Sequence, residues 1–460
     1  MRQLARPFWR SSDYLASLFT HLSYMPAILF TGGTLVLPDR LEKSGTLLCK
    51  DGRILEIKSG VVSSDSVSAN NQTVDPTHLS EPNQEVEPQQ ETDQEVRVVD
   101  LQGGYLCPGF VDIHVHGGAG ADFMDGTTEA VFTASQAHLA HGTTTLFPTT
   151  STGTVKQIHR MIDACQSLMQ DSTEPCANSS EPCAKIGGIH LYGPYFSPDK
   201  AGCHLSEQCR DPREEEYEAY FDSGVIRIAT CAAELPGSEH FYQFANQHNC
   251  LITCGHSNAS WTQMQRAFDQ GMRHVDHFWC AMSNVSSVRK EHGFPMQGSM
   301  LEFVLAQSEM STEVIADGQH LSPELLRFAW QMKTSKKLCL VTDCNRALDM
   351  PPGRYRFGSR EDGAWFESNG KVGLASPDAL ASSIRGMDFM VRTLLKQTDI
   401  PMVDVIRMAT LTPAELVGED QTIGSLEIGK QADLVQLNAD HEVVSVFIEG
   451  VEYPANEASK

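Results

Sequence analysis

Nothing in this chain approaches the roughly 20 consecutive apolar residues needed to cross a bilayer as a helix, so no membrane is expected among its partners. Positive charge is also scarce. Lys and Arg number 35 against 59 Asp and Glu, a formal net charge of −24. A nucleic-acid ligand favours the opposite balance and is not expected. A small anionic metabolite remains compatible, because a few local cations can dominate one pocket on an acidic molecule. The thirteen cysteines lack CxxC or paired zinc-ribbon spacing, which points to reduced thiols in a cytoplasmic enzyme rather than to a disulfide framework. A Gly-rich dinucleotide fingerprint is missing after the first strand-like segment.

What is present is the material for a large core. The 460 residues are 41% hydrophobic, with 35 Gly and 22 Pro, enough for one large catalytic domain and a smaller one. Residues 1–25 have a basic start without a clean apolar centre or cleavage site and read as an N-terminal extension, or as sequence ahead of a true start at Met25. Ala27-Ile28-Leu29-Phe30, Gly32-Gly33 and Thr34-Leu35-Val36-Leu37 read as strand, turn and strand. Thr46-Leu47-Leu48-Cys49, Asp51-Gly52 and Arg53-Ile54-Leu55-Glu56-Ile57 read as a hairpin. Residues 61–96 are rich in Ser, Gln, Glu and Pro, as expected of an exposed or disordered insertion. A Glu-Pro-Cys-Ala repeat at 174–177 and 181–184 reads as a duplicated surface loop.

From residue 107 to 399, short apolar runs alternate with helical stretches. Examples are Thr143-Thr144-Thr145-Leu146-Phe147, Ile186-Gly187-Gly188-Ile189, Leu251-Ile252-Thr253-Cys254 and Leu338-Cys339-Leu340-Val341-Thr342. Roughly seven or eight such units predict an α/β fold, a (β/α)8 TIM-like barrel. The N-terminal strands (26–106) and C-terminal strands (400–460) are expected to meet in a small β-sandwich domain.

Catalytic groups of such a barrel sit where strands end, and here the strand ends are polar. Asp112-Ile113-His114-Val115-His116 closes the first strand, and its period-2 spacing points both imidazoles the same way, as one metal ion requires. His190 and Tyr192, His204, Glu234, His256, His277, Asp317 with His320, and Asp343 follow later runs. Imidazoles hold a divalent transition metal while leaving a position for water. Such an ion lowers the water pKa from about 15.7 towards 7 and polarises a carbonyl. Asp343 is placed to take the water proton and hand it to a leaving nitrogen, and His320 to donate to the oxyanion.

Pro108-Gly109-Phe110-Val111-Asp112-Ile113-His114-Val115-His116-Gly117, Gly255-His256-Ser257, Asp276-His277-Phe278, Asp317-Gly318-Gln319-His320 and Leu340-Val341-Thr342-Asp343 resemble, in order, the motifs of the N-acetylglucosamine-6-phosphate deacetylase family of metal-dependent amidohydrolases. The resemblance runs from about residue 26 to 453. It implies that a divalent metal (zinc, with iron, manganese or cobalt as alternatives; one or two ions) is bound by His256 and His277, and that Asp343 is the acid/base. It also implies that His204, His320 and the Ala281 segment contact an amino-sugar phosphate, and that Arg289 either binds the phosphate, reaching across a homodimer interface, or is an exposed loop cation.

Two departures stand out. His190-Leu191-Tyr192-Gly193-Pro194 carries Tyr where the family has a metal-binding Glu, and Cys280 stands where Asn is usual. The metal then has three possible arrangements: a shift towards His114 and His116 that keeps Asp343 and one or both of His256 and His277, completion of its sphere by Glu234 or Tyr192, or weakened binding. The expected reaction is deacetylation of N-acetylglucosamine 6-phosphate. The alternatives are another N-acyl substrate, or a catalytically weakened sugar-phosphate binder.

Overall fold

In the computed structural model, which describes residues 26–60, 96–171, 182–377 and 379–454, the Asp51-Gly52 pair makes the tight turn its composition implies. Both residues have positive φ, 49° and 73°, as a type I′ hairpin turn requires. They join strands Leu41–Lys50 and Arg53–Lys58. The preceding segment differs from the expected strand–turn–strand. It is one strand, Ala27–Val36, whose register shifts at Gly33. Gly32, at a φ of 75°, lets the backbone bulge and continue instead of reversing. The extension 1–25, the first copy of the Glu-Pro-Cys-Ala repeat and all of the 61–96 insertion but Val96 lie outside the described residues. Val96 itself opens a strand, Val96–Asp100.

The C-terminal strand Leu434–Leu437 pairs antiparallel with Tyr105–Pro108, which in turn lies beside Ala27–Val36. The two ends of the chain are thus sewn into one eight-stranded sheet. This sheet folds over on itself to make a small β-domain, its edge strand Arg53–Lys58 meeting Gln431, just ahead of Leu434–Leu437, through an isolated bridge. Its apolar face gathers Phe30, Leu35, Leu47, Leu106, Leu434 and Phe447, with the Phe30 and Phe447 rings edge to face at 4.9 Å.

The remainder of the mixed α/β fold rests on parallel strands: Phe110–Val115, Thr143–Pro148, Lys185–Ile186 continuing as Ile189–Leu191, Ile226–Thr230, Leu251–Cys254, His274–Val275, Ser311–Val314 and Leu338–Leu340. Neighbours in this series pair in parallel register. A bridge from Thr149 to His190 joins the second to the third. The Asp343 N–H, just past the last strand, donates to the His114 carbonyl at 2.8 Å and so ties the last strand to the first. The arrangement is TIM-barrel-like. Both of the first two strands are buried along their whole length, as strands between helices and an inner core must be. Helices Met402–Ala409 and Leu411–Val417 pack on the strands Phe110–Val115 and Leu338–Leu340 before the chain returns to the small sheet.

One element was not foreseen from sequence. After the last parallel strand, segments Gly353–Phe357, Ala364–Ser368, Gly373–Ser376 and Ala379–Leu380 make a four-stranded antiparallel sheet. Arg346 anchors it, bonding Asp125 at 3.0 Å and the Gly358 carbonyl at 2.5 Å.

His141, which ends the helix Thr128–Ala140, bridges distant segments through Asp388 at 2.8 Å and Asp349 at 3.1 Å. Burial disfavours its charged form, but the two carboxylates outweigh that and raise its pKa to about 10. Burial likewise pushes Asp388 up, and His141 with Arg392 overrides it, holding the carboxyl at about 2. The His141 contribution is therefore complete below a pH of about 6.5 and fades as pH rises through its folded pKa. The Asp388 contribution is complete above a pH of about 4 and fades as pH falls through its folded pKa. His141→Gln should cost about 3 kcal/mol near pH 6 and much less above about pH 10. Urea unfolding at the two pH values measures this, and equal losses at both would refute the charged bridge.

Candidate metal centre and active site

The HxH spacing of the first strand does what period 2 dictates. The His114 and His116 rings lie 5.4 Å apart, and both Nε2 atoms approach one oxygen of Asp343, at 3.7 and 3.3 Å. Each ring is fixed from behind. His114 Nδ1 meets Glu313 at 2.8 Å and His116 Nδ1 meets the Thr149 carbonyl at 3.2 Å. These bonds leave both Nε2 atoms buried with no hydrogen-bond partner, which is the state of imidazoles awaiting a cation.

Asp343 is held in place by its neighbours. Ser382 donates to its Oδ1 at 2.9 Å. Burial would raise its pKa, but His114, His116 and His277 hold the carboxyl far below its usual range. Burial acts against a charge on His114 as well, yet Glu313 and Asp343 raise its pKa to about 9. Burial lowers His116, His204 and His256 and takes His277 down to about 4. His116, His204, His256 and His277 are thus neutral imidazoles beside ionised carboxylates, while His114 would give up its proton to an ion bound between them, a donor set suited to a divalent ion. His114, His116 and Asp343 each offer one ligand atom, all within 4.8 Å of one another. The second such group, His114 with Asp276 and Glu313, forms the backing of the site. There Glu313 is already bonded to His114, to His274 at 3.3 Å and to the His277 N–H at 3.1 Å.

His256 and His277 come together a step away, with Nε2 atoms 3.2 Å apart. His256 Nδ1 meets the Lys200 carbonyl at 2.5 Å. The Tyr192 hydroxyl hydrogen-bonds to His277 Nε2, and its ring lies 4.4 Å from that of His114. Burial raises the Tyr192 pKa far above its usual value, so the phenol is neutral. His204 joins the same chamber, its ring 4.9 Å from His256. His320 is oriented by Asp317, which takes its Nδ1 at 2.8 Å and the N–H groups of Gln319 and His320 at 2.9 Å. Burial disfavours a charged His320, and the Asp317 bond outweighs it, raising the pKa.

Other sequence candidates have other partners. His190 is satisfied by the Ile113 carbonyl and Thr230. Glu234 spends its oxygens on Ser257 and the Asn258 N–H, both at 2.5 Å. The Ala281 carbonyl accepts from the Ser257 N–H at 3.1 Å, next to His256. Arg289 lies on the helix Val285–His292 with its guanidinium 4.7 Å from the exposed Phe294 ring, and no contact joins it to the histidines. Two participants were missed from sequence. Glu313 is a single carboxylate inside a short strand, Ser311–Val314, that is buried throughout, and the strand's sequence gives no sign of its partners. Phe357, 4.9 Å from the rings of both His116 and His204, belongs to the unforeseen antiparallel sheet and carried no signal.

Histidines and carboxylates converging beyond the C-terminal ends of parallel strands define a metal-dependent hydrolase architecture. The chain belongs to the amidohydrolase family, whose model matches residues 105–452. Among curated relatives, the N-acetylglucosamine-6-phosphate deacetylase of Bacillus subtilis is 31% identical, aligned over 75% of this chain and 83% of its own length. The N-acetylgalactosamine-6-phosphate deacetylase of Escherichia coli O157:H7 is 29% identical over 77% and 89%. The crystal structure of N-acetyl-D-glucosamine-6-phosphate deacetylase from Mycobacterium smegmatis superposes with a TM-score of 0.75 at 25% identity, covering 92% of this chain and 99% of that one.

Removing Glu313 strands His114 and His274 in the interior. Glu313→Ala should therefore destabilise the fold by about 3–5 kcal/mol, as read by chemical denaturation. A loss under about 1 kcal/mol would mean that the carboxylate does not hold these rings.

Proposed function

We propose that this protein hydrolyses the acetamide of N-acetylglucosamine 6-phosphate to glucosamine 6-phosphate and acetate. The observation that carries this is the pair of unpartnered Nε2 atoms of His114 and His116 facing Asp343, in a chain whose relatives bear deacetylase names. We take the parallel strands to be a (β/α)8 barrel spanning 107–399 and covered by the helices Met402–Ala409 and Leu411–Val417, with 26–106 and the strands of 400–460 as the small β-domain and 1–25 as an extension.

His114, His116 and Asp343 would hold a divalent ion, zinc being the first choice for this donor set, with His256 and His277 flanking it. When bound, such an ion acidifies water and polarises the amide carbonyl. The protein supplies the rest. Asp343, kept ionised by the surrounding imidazoles, accepts a proton from the attacking water and delivers it to the departing nitrogen as the C–N bond breaks. His320, its Nδ1 engaged by Asp317, presents Nε2–H to the oxygen of the acyl group as negative charge develops there. His204 and the Ala281 segment line the sugar, and Arg289 is assigned to the 6-phosphate from a second copy in a homodimer. Among the described residues no disulfide forms and no helix is long and apolar enough to cross a membrane, which supports a cytoplasmic placement.

A second reading changes only the sugar. One of the relatives bears an N-acetylgalactosamine-6-phosphate name, and Tyr192 and Cys280 alter the wall of the chamber. Acetate release from both 6-phosphates and from the unphosphorylated sugars, with metal content measured on the same sample, decides between them. Asp343→Asn should lower kcat by about 1000-fold or more while substrate still binds. Near-normal turnover would remove Asp343 from the acid/base role.

A further inference from the structure

We propose that this chain carries a single metal ion, at His114, His116 and Asp343, and that Tyr192 closes the neighbouring His256–His277 position to a second. The inference deepens the metal reading above and rests on it.

The two halves of the chamber differ in what their nitrogen atoms already do. At His114 and His116 the rear nitrogens are bonded to Glu313 and to the Thr149 carbonyl, and the front ones have no partner. An ionised carboxylate, Asp343, stands within 4 Å of both. At His277 the front nitrogen is spoken for. The Tyr192 hydroxyl and His256 Nε2 both lie against it, and a ring nitrogen has one lone pair or one proton to offer, not both. The carboxylates around this pair have other partners: Glu234 is bonded to Ser257 and Asn258, and Asp343 faces His114, His116 and Ser382.

A phenol is a poor substitute for a carboxylate here. It offers one oxygen, already engaged with His277, where a carboxylate offers two. Tyr192 cannot swing away to leave room for water, since it is 1% exposed and wedged between the rings of His114 and Phe196, at 4.4 and 4.7 Å. Its backbone is held too, the N–H donating to Thr150 at 2.9 Å.

The test is metal content per chain after zinc loading and gel filtration, read by elemental mass spectrometry. It is run on the wild type, His116→Gln, His256→Gln, Tyr192→Phe and Tyr192→Glu. The expected result is one ion in the wild type, retained in His256→Gln and Tyr192→Phe. His116→Gln should bind it more than about 100-fold more weakly. Tyr192→Glu, if folded by circular dichroism, should gain a second ion. Should it not fold, the histidine variants still decide. Two ions in the wild type, one ion lost in His256→Gln but kept in His116→Gln, or a folded Tyr192→Glu still holding one, would each overturn the proposal. A phenolate-to-iron absorption band in the ferric form that vanishes in Tyr192→Phe would overturn it as well, by making Tyr192 a ligand. A wild type with no ion would fail differently, because it removes the metal from the proposed function itself.

Discussion

Glu313 is the residue on which the rest of the site depends. It is a carboxylate in the protein interior, and the idealised penalty for such a charge is severe unless hydrogen bonds and opposite charge surround it. Here they do. One oxygen faces His274 and the other takes both His114 Nδ1 and the His277 backbone N–H, so one side chain ties together three parallel strands. Burial alone would keep Glu313 protonated, and His114 above all holds it ionised instead. This negative charge behind His114 turns the ring's other nitrogen forward, towards Asp343. The order of causes runs from the buried acid, to the fixed imidazole, to the open coordination edge. An apolar residue at 313 would strand His114 and His274 in the interior and leave the site without orientation.

The same logic explains why two histidine pairs in one chamber are not equivalent. His114 and His116 are backed by acceptors on their far sides, so their near sides stay free. His277 has no acceptor at its far nitrogen, which is buried without a partner, and its near nitrogen is engaged by Tyr192. A glutamate in place of Tyr192 would carry charge into the chamber; the phenol brings only a neutral dipole. Substituting one residue at a strand end thus redistributes charge over the whole chamber without moving a strand.

Much of this was legible beforehand because the signals were local. The alternation of short apolar runs with helices gave the parallel strands, and the Asp51-Gly52 turn lies where its dipeptide says. His114, His116 and Asp343 could be placed at strand ends by period and position alone. What escaped reading was non-local. Glu313 looks like one acid in a four-residue strand, and its meaning comes from His114, far away in sequence and adjacent in space. The single bulged strand at 27–36 was misread because two glycines mark a turn and a bulge equally well. The antiparallel sheet from 353 to 380 has weak alternation and partly exposed strands. Its contribution, the Phe357 ring against His116 and His204, is invisible until the chain is folded.

Backbone conformation adds a constraint that no pattern of residue types reveals. Asp343, His256 and Ala281 all have positive φ, between 44° and 49°, a region in which a side chain costs about 1–3 kcal/mol. Glycine would relieve that cost and abolish the function of the first two. The surroundings must therefore hold each one. The Asp343 N–H donates to the His114 carbonyl, its own carbonyl accepts from Ser383, and Ser382 takes the side chain. The His256 carbonyl accepts from Ser197, while its ring is bonded to the Lys200 carbonyl. The left-handed turn at each strand end swings the side chain off the strand direction and into the chamber, where a regular strand would have carried it past. Asp343 and His256 both face the chamber because the backbone at each is held in a shape that these residue types rarely choose.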